Sequence, residues 1–221
     1  MKIGIFGSGI VGQTLATKLD KLGHEVMMST RNAADLYQRK PAFKTWHEDH
    51  PAIRLGNVNE AAAYGHLLIN ALQGLSTLQA LKTIEAQHLN GKIMLDIANP
   101  LDFSNGFPPT LSVCNTDSLG EQIQRAYPDL KVVKSLNTMN ANLMTDPREL
   151  PHDQTVFLSG NDEAAKTQIK ELLASFGWKL TEMFDLGDIT TARGTEQLLP
   201  IWVRIYSKVG HPKFNFRMVG I

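Results

Sequence analysis

The sequence predicts an α/β fold, a doubly wound and mostly parallel sheet with helices on both faces. Short β-rich segments alternate with helical periods along most of the chain, which is the pattern of a parallel sheet with crossover helices. Several strand-like segments are apolar at every position, as in strands that are buried on both faces. A glycine-rich turn over residues 7–12 joins the first strand to the first helix.

The first thirty residues predict one strand–helix–strand unit. Strands are expected over residues 2–6 and 24–29. Between them Val11 and Leu15 begin an apolar pattern at helical spacing, and Gly23 marks the helix end. This order makes the two strands parallel neighbours.

The alternation continues to residue 209. Pro200 predicts a kink or a break in the last helix. The 221 residues are expected to form a single domain over 1–221, in which residues 190–221 are a helical extension and tail. Strands are predicted over residues 66–71, 92–97, 131–135, 153–160 and 178–183, with a loop over 98–115. Helices are predicted over residues 33–40, 42–49, 59–64 capped by Asn59, 76–87 capped by Ser76, 118–126, 162–176 and 190–209.

The turn GSGIVG fits a phosphate-binding loop, because it lies between a strand and a helix as that mechanism requires. Gly7 allows the tight turn, Gly9 lets the backbone approach a diphosphate, and Gly12 lets the helix pack closely on the strand. The helix N-terminus adds free N–H groups and a positive dipole end. A glycine-rich turn without a ligand is the alternative interpretation. The turn therefore predicts a Rossmann-type dinucleotide site that includes Gly7, Ser8, Gly9, Ile10, Val11 and Gly12.

The end of the second strand predicts NADP rather than NAD. An NAD site usually has a carboxylate about twenty residues after the glycine turn, which binds the ribose hydroxyl. This chain has Ser29, Thr30, Arg31 and Asn32 there instead. Two hydroxyls and a guanidinium suit a 2′-phosphate, to which arginine donates charge-assisted hydrogen bonds. In the alternative interpretation, Ser29 and Thr30 cap the next helix and Arg31 is only solvated.

Further strand ends are expected beside the nicotinamide, since ligands of such sheets lie beyond the carboxyl ends of the strands. Asn99 fits two roles equally well, a contact to the ribose or carboxamide and a cap of its own loop. The cofactor side is predicted to include Ala71, Leu72, Ala98, Asn99 and Pro100. The substrate side is predicted to include Asn137, Thr138 and Met139, for which a simple Asx-turn is the alternative.

Composition narrows the class of function. Lys plus Arg and Asp plus Glu each total 22, so no global positive charge attracts nucleic acid. No apolar run reaches the about 18 residues of a spanning helix, so no membrane partner is expected. The one cysteine, Cys114, excludes an internal disulfide and fits the reducing cytoplasm, where we expect the protein. His47 and His50 lie one helical turn apart without further ligands, so no metal site is predicted.

The chain resembles NADP oxidoreductases that depend on the deazaflavin coenzyme F420. The resemblance rests on the glycine turn, STR at residues 29–31, DIANP at 96–100 and LNT at 136–138. Residues 185–196 are similar to bacterial dinucleotide-binding relatives, and the reductase domain of membrane ferric reductases looks similar as well. The resemblance implies NADP contacts at residues 7–12 and 29–31. It also implies hydride transfer between NADPH and a flat flavin or deazaflavin partner, which needs orientation rather than a catalytic side chain.

Two other functions fit the same motifs. A non-catalytic NADP(H)-binding redox sensor needs no catalytic side chain either. A reductase of small carbonyl or imine metabolites usually adds a large all-helical domain, which the length and pattern of this chain argue against. Whichever function applies, we expect the last helix and the tryptophan-containing tail to join a symmetric homodimer that covers exposed apolar side chains.

Overall fold

The computed structural model describes residues 1–220. Eight of its ten strands form one sheet. In chain order the strands are β1 Lys2–Phe6, β2 Glu25–Ser29, β3 Arg54–Gly56, β4 Leu67–Asn70, β5 Ile93–Asp96, β6 Leu101–Asp102, β7 Thr110–Leu111, β8 Lys131–Ser135, β9 Val156–Gly160 and β10 Met183–Asp185. The sheet has the order β3-β2-β1-β4-β5-β8-β9-β10, and β6 and β7 pair as a separate hairpin. Within the sheet β8 and β9 are antiparallel and the other neighbours are parallel, which confirms the predicted fold class.

Helices cover both faces of this sheet. Because neighbouring strand residues point to opposite faces, Ile5 enters one core and Phe6 the other. The two cores explain why the central strands are apolar at every position. In chain order the helices are α1 Ile10–Lys21, α2 Ala33–Arg39, α3 Pro41–Glu48, α4 Val58–Tyr64, α5 Gly74–Leu81, α6 Leu119–Ala126, α7 Ala141–Thr145, α8 Glu163–Phe176, α9 Ala192–Gln197 and α10 Leu199–Val209.

The strand order reverses at β1. The chain runs outward from β1 to β2 and β3, returns beside β1 as β4, and then continues to β5 and β8. In the pairing register, Ile5 of β1 is aligned with Met28 of β2 on one side and with Ile69 of β4 on the other. The loops after β1 and β4 therefore diverge at the carboxyl edge and open a crevice, which is where sheets of this topology bind ligands.

Two predicted helix starts are wrong. Asn57 caps α4 instead of Asn59, because Asn57 forms a reciprocal capping box with Glu60. The predicted helix over residues 76–87 begins earlier, at Gly74, and ends earlier, at Leu81. A Cβ at position 74 would lie 2.2 Å from the backbone oxygen of Asn99, so a close approach to the loop after β5 fixes this start.

The predicted strand over residues 178–183 is also displaced, because β10 begins only at Met183. Glu182 is buried just before β10 and accepts hydrogen bonds from the N–H groups of Lys179 (2.9 Å) and Gln154 (2.9 Å). These bonds hold residues 180–182 in a single 3₁₀ turn. The hydrogen bonds of the Glu182 carboxylate thus determine the conformation of residues 180–182, although the sequence pattern there is typical of a strand.

The predicted helix over residues 190–209 is two helices, which confirms the expected break. Pro200 lies in the first turn of α10, where its missing N–H removes no helical hydrogen bond. After α10 the chain returns to the start of β9, where the backbone oxygen of Phe216 accepts from the N–H of Thr155 (3.0 Å). None of the helices in residues 1–220 combines the length and the apolar character that crossing a bilayer requires.

Candidate functional site

A cavity of about 790 Å³ opens at the carboxyl edge of the sheet, where the strand order reverses. Its volume is within the usual range of small-molecule sites. The loops after β1, β2 and β4 form its floor, and α2 and α5 form its walls. The lining residues are Gly7, Ser8, Ser29, Thr30, Arg31, Leu36, Arg39, Lys40, Asn57, Val58, Leu72, Gln73, Leu75, Ser76, Gln79, Ala80 and Thr83.

The glycine turn lies at one side of this cavity. Gly7 has a φ of +109°, and a Cβ there would lie 2.7 Å from the backbone oxygen of Ala71. A Cβ at Gly12 would lie 2.3 Å from the backbone oxygen of Gly7. A Cβ at Gly9, by contrast, would meet nothing within 4 Å. Packing therefore requires glycine at positions 7 and 12, while position 9 faces open space.

The N-terminus of α1 follows this turn with unpaired donors. The first hydrogen bond of the helix runs from the N–H of Gln13 to the oxygen of Gly9 (3.0 Å). The N–H groups of Ile10, Val11 and Gly12 precede it and so have no acceptor within the helix. Gly9 offers no side-chain cap, and the first turn contains no acidic residue. Such a helix end favours an anion.

Ser29 connects the glycine turn to the end of β2. Its hydroxyl oxygen accepts a hydrogen bond from the N–H of Gly7 (3.0 Å), and both groups are buried. The cap of α2 is Asn32, whose side-chain oxygen accepts from the N–H of Asp35 (3.2 Å). The alternative in which Ser29 and Thr30 cap that helix is therefore wrong. Thr30 instead lines the cavity.

Three basic side chains surround the end of the cavity beside β2. Arg31 follows β2, and Arg39 and Lys40 lie at the end of α2. All three are exposed to solvent, and among the described residues no carboxylate lines the cavity with them. The charge at this end is therefore strongly positive and complementary to a multiply charged anion.

Arg39 and Lys40 were not predicted as site residues from the sequence. A signal was present, since Arg39 and Lys40 lie three and four residues after Leu36, which is the spacing of one helix face. The wall formed by α5 was missed as well. Its cavity residues Ser76 and Ala80 lie four residues apart on one helix face, and Leu75, Gln79 and, just after the helix, Thr83 also line the cavity.

Six of the predicted cofactor residues line the cavity, namely Gly7, Ser8, Ser29, Thr30, Arg31 and Leu72. The other nine predicted residues lie around it in the turn, at the cap of α2 and at the ends of β4 and β5. These nine are Gly9, Ile10, Val11, Gly12, Asn32, Ala71, Ala98, Asn99 and Pro100.

The amide groups of Asn99 and Asn137 bind each other. Asn137 Nδ2 donates to Asn99 Oδ1 (2.9 Å), and Asn99 Nδ2 donates to the backbone oxygen of Asn137 (2.8 Å). This pair ties the loop after β5 to the loop after β8. Asn137, Thr138 and Met139 are almost fully covered by other residues. Their assignment to the substrate side stays a prediction.

The two histidines of α3 and the turn after it belong to a hydrogen-bonded surface network. His47 lies 2.7 Å from the Tyr37 hydroxyl through Nδ1 and 2.7 Å from the backbone oxygen of Ile53 through Nε2. His50 lies 2.7 Å from the oxygen of Trp46 through Nδ1 and 3.0 Å from the Thr17 hydroxyl through Nε2. Both nitrogens of each ring are thus already engaged in packing α3 against α1 and α2.

Comparison with known proteins identifies several relatives. The family described as NADP oxidoreductase, coenzyme F420-dependent, matches residues 2–100. The crystal structure of a proposed F420-dependent NADP reductase from Arthrobacter sp. FB24 is 51% identical, covers 100% of both chains and has a TM-score of 0.96. Metalloreductase STEAP3 of Rattus norvegicus is 27% identical over 206 residues. That match covers 91% of this chain and 38% of the metalloreductase, so the chain spans just over a third of that relative.

A more distant likeness shows the fold alone. A reductive aminase from Aspergillus terreus has a TM-score of 0.65 at 19% identity, covering 95% of this chain and 62% of the aminase. The Arthrobacter protein, by contrast, matches this chain in both sequence and structure over its whole length. The chain therefore belongs to the family of coenzyme F420-dependent NADP oxidoreductases, and it is an NADP-dependent oxidoreductase.

Proposed function

We propose that this protein transfers a hydride between NADPH and a flat redox molecule of the flavin or deazaflavin class, such as coenzyme F420. The observation that carries the proposal is the cavity beside β1, which joins a free helix N-terminus to a cluster of three basic side chains. A dinucleotide with a diphosphate and a 2′-phosphate has its negative charges at matching places.

The glycine turn fits the diphosphate. The open space above Gly9 is where the backbone could be approached most closely, and the free N–H groups of α1 would donate to the phosphate oxygens. Gly7 and Gly12 keep the turn in this shape because a side chain at either would collide with backbone oxygen. Ser29 supports the turn from below through its bond to Gly7.

The basic cluster fits the 2′-phosphate. In the proposal Arg31 donates to the phosphate together with the Thr30 hydroxyl, and Arg39 and Lys40 add positive charge from the end of α2. Asn32 holds the start of α2 and so sets the position of these cations. The nicotinamide would extend past Leu72 toward the ends of β4 and β5, to lie beside Ala71, Ala98, Asn99 and Pro100.

Bound NADPH supplies the hydride, so the chain's task is to hold two flat molecules in contact. A deazaflavin acceptor is supported by the family and by the relative from Arthrobacter, both of which are described with coenzyme F420. In the proposal the acceptor enters over the ends of β5 and β8, near Asn137, Thr138 and Met139. No side chain is assigned a proton transfer.

The preference for NADPH over NADH tests whether the basic cluster binds the 2′-phosphate. We expect Arg31→Gln, and separately the double substitution of Arg39 and Lys40 by Gln, to weaken NADPH binding about tenfold or more, since each removes charge-assisted bonds. NADH binding should change by less than about twofold. Arg204→Gln, an exposed change on α10, is the matched control. Isothermal titration calorimetry measures all of these. Equal losses for both nucleotides would contradict the phosphate assignment.

Acceptor choice tests the reaction. The oxidation of NADPH is measured by the loss of its nicotinamide absorbance, and it should be fast with coenzyme F420 or a free flavin. A ferric chelate and a cyclic imine complete the panel. Turnover of the imine alone would point to a metabolite reductase instead. Binding of NADPH without turnover of any acceptor would point to a redox sensor.

The proposal includes a homodimer formed through α10. Ile201, Ile205 and Val209 follow one another at four-residue spacing, and Ile201 and Val209 are exposed. A second copy covers such a face symmetrically. Sedimentation should therefore give a dimer for the native chain and a monomer for Ile201→Glu. A cytoplasmic location also belongs to the proposal, since the lone cysteine needs no oxidising compartment.

A further inference from the structure

A charged cluster is buried beneath the carboxyl edge of the sheet. It consists of Asn70 at the end of β4, Asp96 at the end of β5, Lys134 in β8 and Glu196 in α9. Each of these residues is at most 1% exposed. The proposed nucleotide contacts use none of the four side chains. A buried group of two carboxylates and one ammonium is rare in a protein interior unless every charge is paired.

Lys134 is the centre of the cluster. Its ammonium lies 2.6 Å from Asp96 Oδ2 and 2.8 Å from Glu196 Oε1, and it donates to the backbone oxygen of Ala98 (2.7 Å). Desolvation opposes the charge on Lys134, but the attraction of Asp96 and Glu196 outweighs it and raises the pKa of the lysine. All three ammonium protons thus have acceptors, and Lys134 is held in its charged form.

The cluster forms hydrogen bonds to the backbone of two turns at the carboxyl edge of the sheet. Asp96 Oδ1 accepts from Asn70 Nδ2 (2.7 Å) and from the N–H of Ala98 (3.2 Å). Asn70 Oδ1 accepts from the N–H of Leu72 (3.3 Å), and Leu72 lines the cavity. The loops after β4 and β5 are therefore both fixed to the same buried charges.

The same cluster ties these turns to the C-terminal helices. Glu196 accepts from the N–H groups of Leu119 (2.8 Å) and Gly120 (3.1 Å), which form the N-terminus of α6. The positive end of the α6 dipole helps to compensate the second carboxylate. A chain of hydrogen bonds thus runs from α9 through Lys134 to the backbone at Leu72 and Ala98.

We infer that Lys134 is a positioning residue, which with Asn70, Asp96 and Glu196 sets the two turns that receive the nicotinamide end of the nucleotide. The inference rests on the proposed function for the location of that end. The cluster lies beneath the ends of β4, β5 and β8, whereas the 2′-phosphate cluster lies beyond β2 on the opposite side of β1. A substitution of Lys134 should therefore weaken the binding of the nicotinamide end and leave the binding of the 2′-phosphate end unchanged.

Two ligands distinguish an effect on the nicotinamide end from an effect on the adenosine end. NADPH has both ends, and adenosine 2′,5′-bisphosphate has only the adenosine end with its phosphates. In Lys134→Met the two carboxylates face each other without a cation, so they repel and displace the turn that contains Ala98. We expect NADPH to bind about tenfold more weakly and adenosine 2′,5′-bisphosphate to bind within about twofold of the native value. The fluorescence of bound NADPH should also shift toward that of the free nucleotide.

Lys166 provides a matched control. Its side chain is 2% exposed, and its ammonium also contacts two carboxylates, Glu163 at 2.7 Å and Asp185 at 2.9 Å, and one backbone oxygen, Gly187 at 3.4 Å. These partners lie on α8, on β10 and just after it, away from the cavity. Lys166→Met likewise removes a lysine that bridges two carboxylates, and it should leave the affinities for both ligands unchanged.

Glu196→Gln is the second variant, because it keeps the size of the side chain and one acceptor oxygen. It should fold even if Lys134→Met does not, and it should weaken NADPH selectively but by a smaller factor. Folded variants that bind both ligands like the native protein, or that lose both equally, would overturn the inference. A native protein that binds neither ligand would instead overturn the proposed function.

Discussion

The hydroxyl of Ser29 accepts a hydrogen bond from the backbone N–H of Gly7 at 3.0 Å. Ser29 is the last residue of β2, and Gly7 directly follows the neighbouring strand β1, so the bond joins the glycine turn to the loop that leads to Arg31. The N–H of Gly7 is buried, and a buried donor without an acceptor is costly. Ser29 thus fixes the distance between the proposed diphosphate and 2′-phosphate subsites.

Removing this hydroxyl should affect both folding and binding. Ser29→Ala leaves the Gly7 N–H unsatisfied, and we expect a loss of about 1–3 kcal/mol in the free energy of unfolding. NADPH should bind about tenfold more weakly, because the turn is no longer held at its distance from Arg31. Urea denaturation and calorimetry measure the two effects. Ser207→Ala, which removes a hydroxyl that donates to Val203 O on α10, should leave the affinity unchanged.

Two glycines of the turn should respond in opposite ways. Gly9 has extended backbone angles (φ −76°, ψ 179°) that any residue adopts, and open space surrounds it. Gly9→Val should therefore keep the native stability while NADPH binding falls about 100-fold or more, since the side chain fills the place of the diphosphate.

Gly12→Ala should show the reverse pattern in stability. Its Cβ would meet the backbone oxygen of Gly7 at 2.3 Å, so the turn or α1 must shift, at a cost of about 1–3 kcal/mol. Thermal unfolding of the two variants compares them directly. A Gly9→Val protein that binds NADPH normally would show that the diphosphate does not lie on this turn.

Local signals were sufficient to predict much of the fold. The strands at residues 2–6 and 131–135 have the predicted bounds: β1 ends where the glycine turn begins at Gly7, and β8 is centred on the β-branched pair Val132 and Val133. β3 was missed because three residues, one of them Arg54, carry no strand pattern. It forms because the edge of β2 offers backbone partners, such as Met28 opposite Leu55. Tertiary context alone makes it a strand.

The residues of the candidate site likewise divide into those with a local signal in the sequence and those that depend on tertiary structure. The glycine turn and Arg31 were predictable because each lies next to a strand end in the sequence. Arg39 and Lys40 reach the cavity only because α2 is two turns long and folds back beside Arg31. The Asn99–Asn137 pair joins residues 38 apart in the chain, so no local pattern could reveal it. Contacts between distant loops need the strand order before they can be inferred.

Acid should weaken one ion pair beside α6. The Arg125 guanidinium donates to both oxygens of Asp117 (2.9 and 2.7 Å) and lowers the pKa of that carboxyl from 3.8 to about 2. A lowered folded-state pKa stabilises the protein above the unfolded value, and this contribution disappears as pH falls through the interval between about 4 and about 2. Because Arg125 is 60% exposed, we expect it to be under about 1 kcal/mol.

The measurement compares native protein with Asp117→Asn in urea over that interval. Their difference in the free energy of unfolding should be constant above about pH 5 and should approach zero only below about pH 2. Arg125→Gln should reduce the same pH dependence, because the carboxyl then loses its cation and keeps only the hydrogen bonds of Gln122 and the Ser118 backbone. A difference that persists in acid would mean that Asp117 acts through its neutral hydrogen bonds.

The Asn99–Asn137 pair should matter for the chemical step more than for nucleotide affinity. Asn137→Ala removes the donor to Asn99 Oδ1, so only the bond from Asn99 Nδ2 to the backbone oxygen of residue 137 still joins the loop after β5 to the loop after β8. If the acceptor lies over these two loops, kcat with a flavin or deazaflavin should fall about tenfold while the KM for NADPH changes less than about twofold. Asn161→Ala is the matched control, since its side-chain oxygen also bridges two loops by accepting from the N–H of Ile189 (3.0 Å). A rise in the KM for NADPH with an unchanged kcat would move the acceptor away from Asn137, because the lost contact would then serve the nucleotide alone.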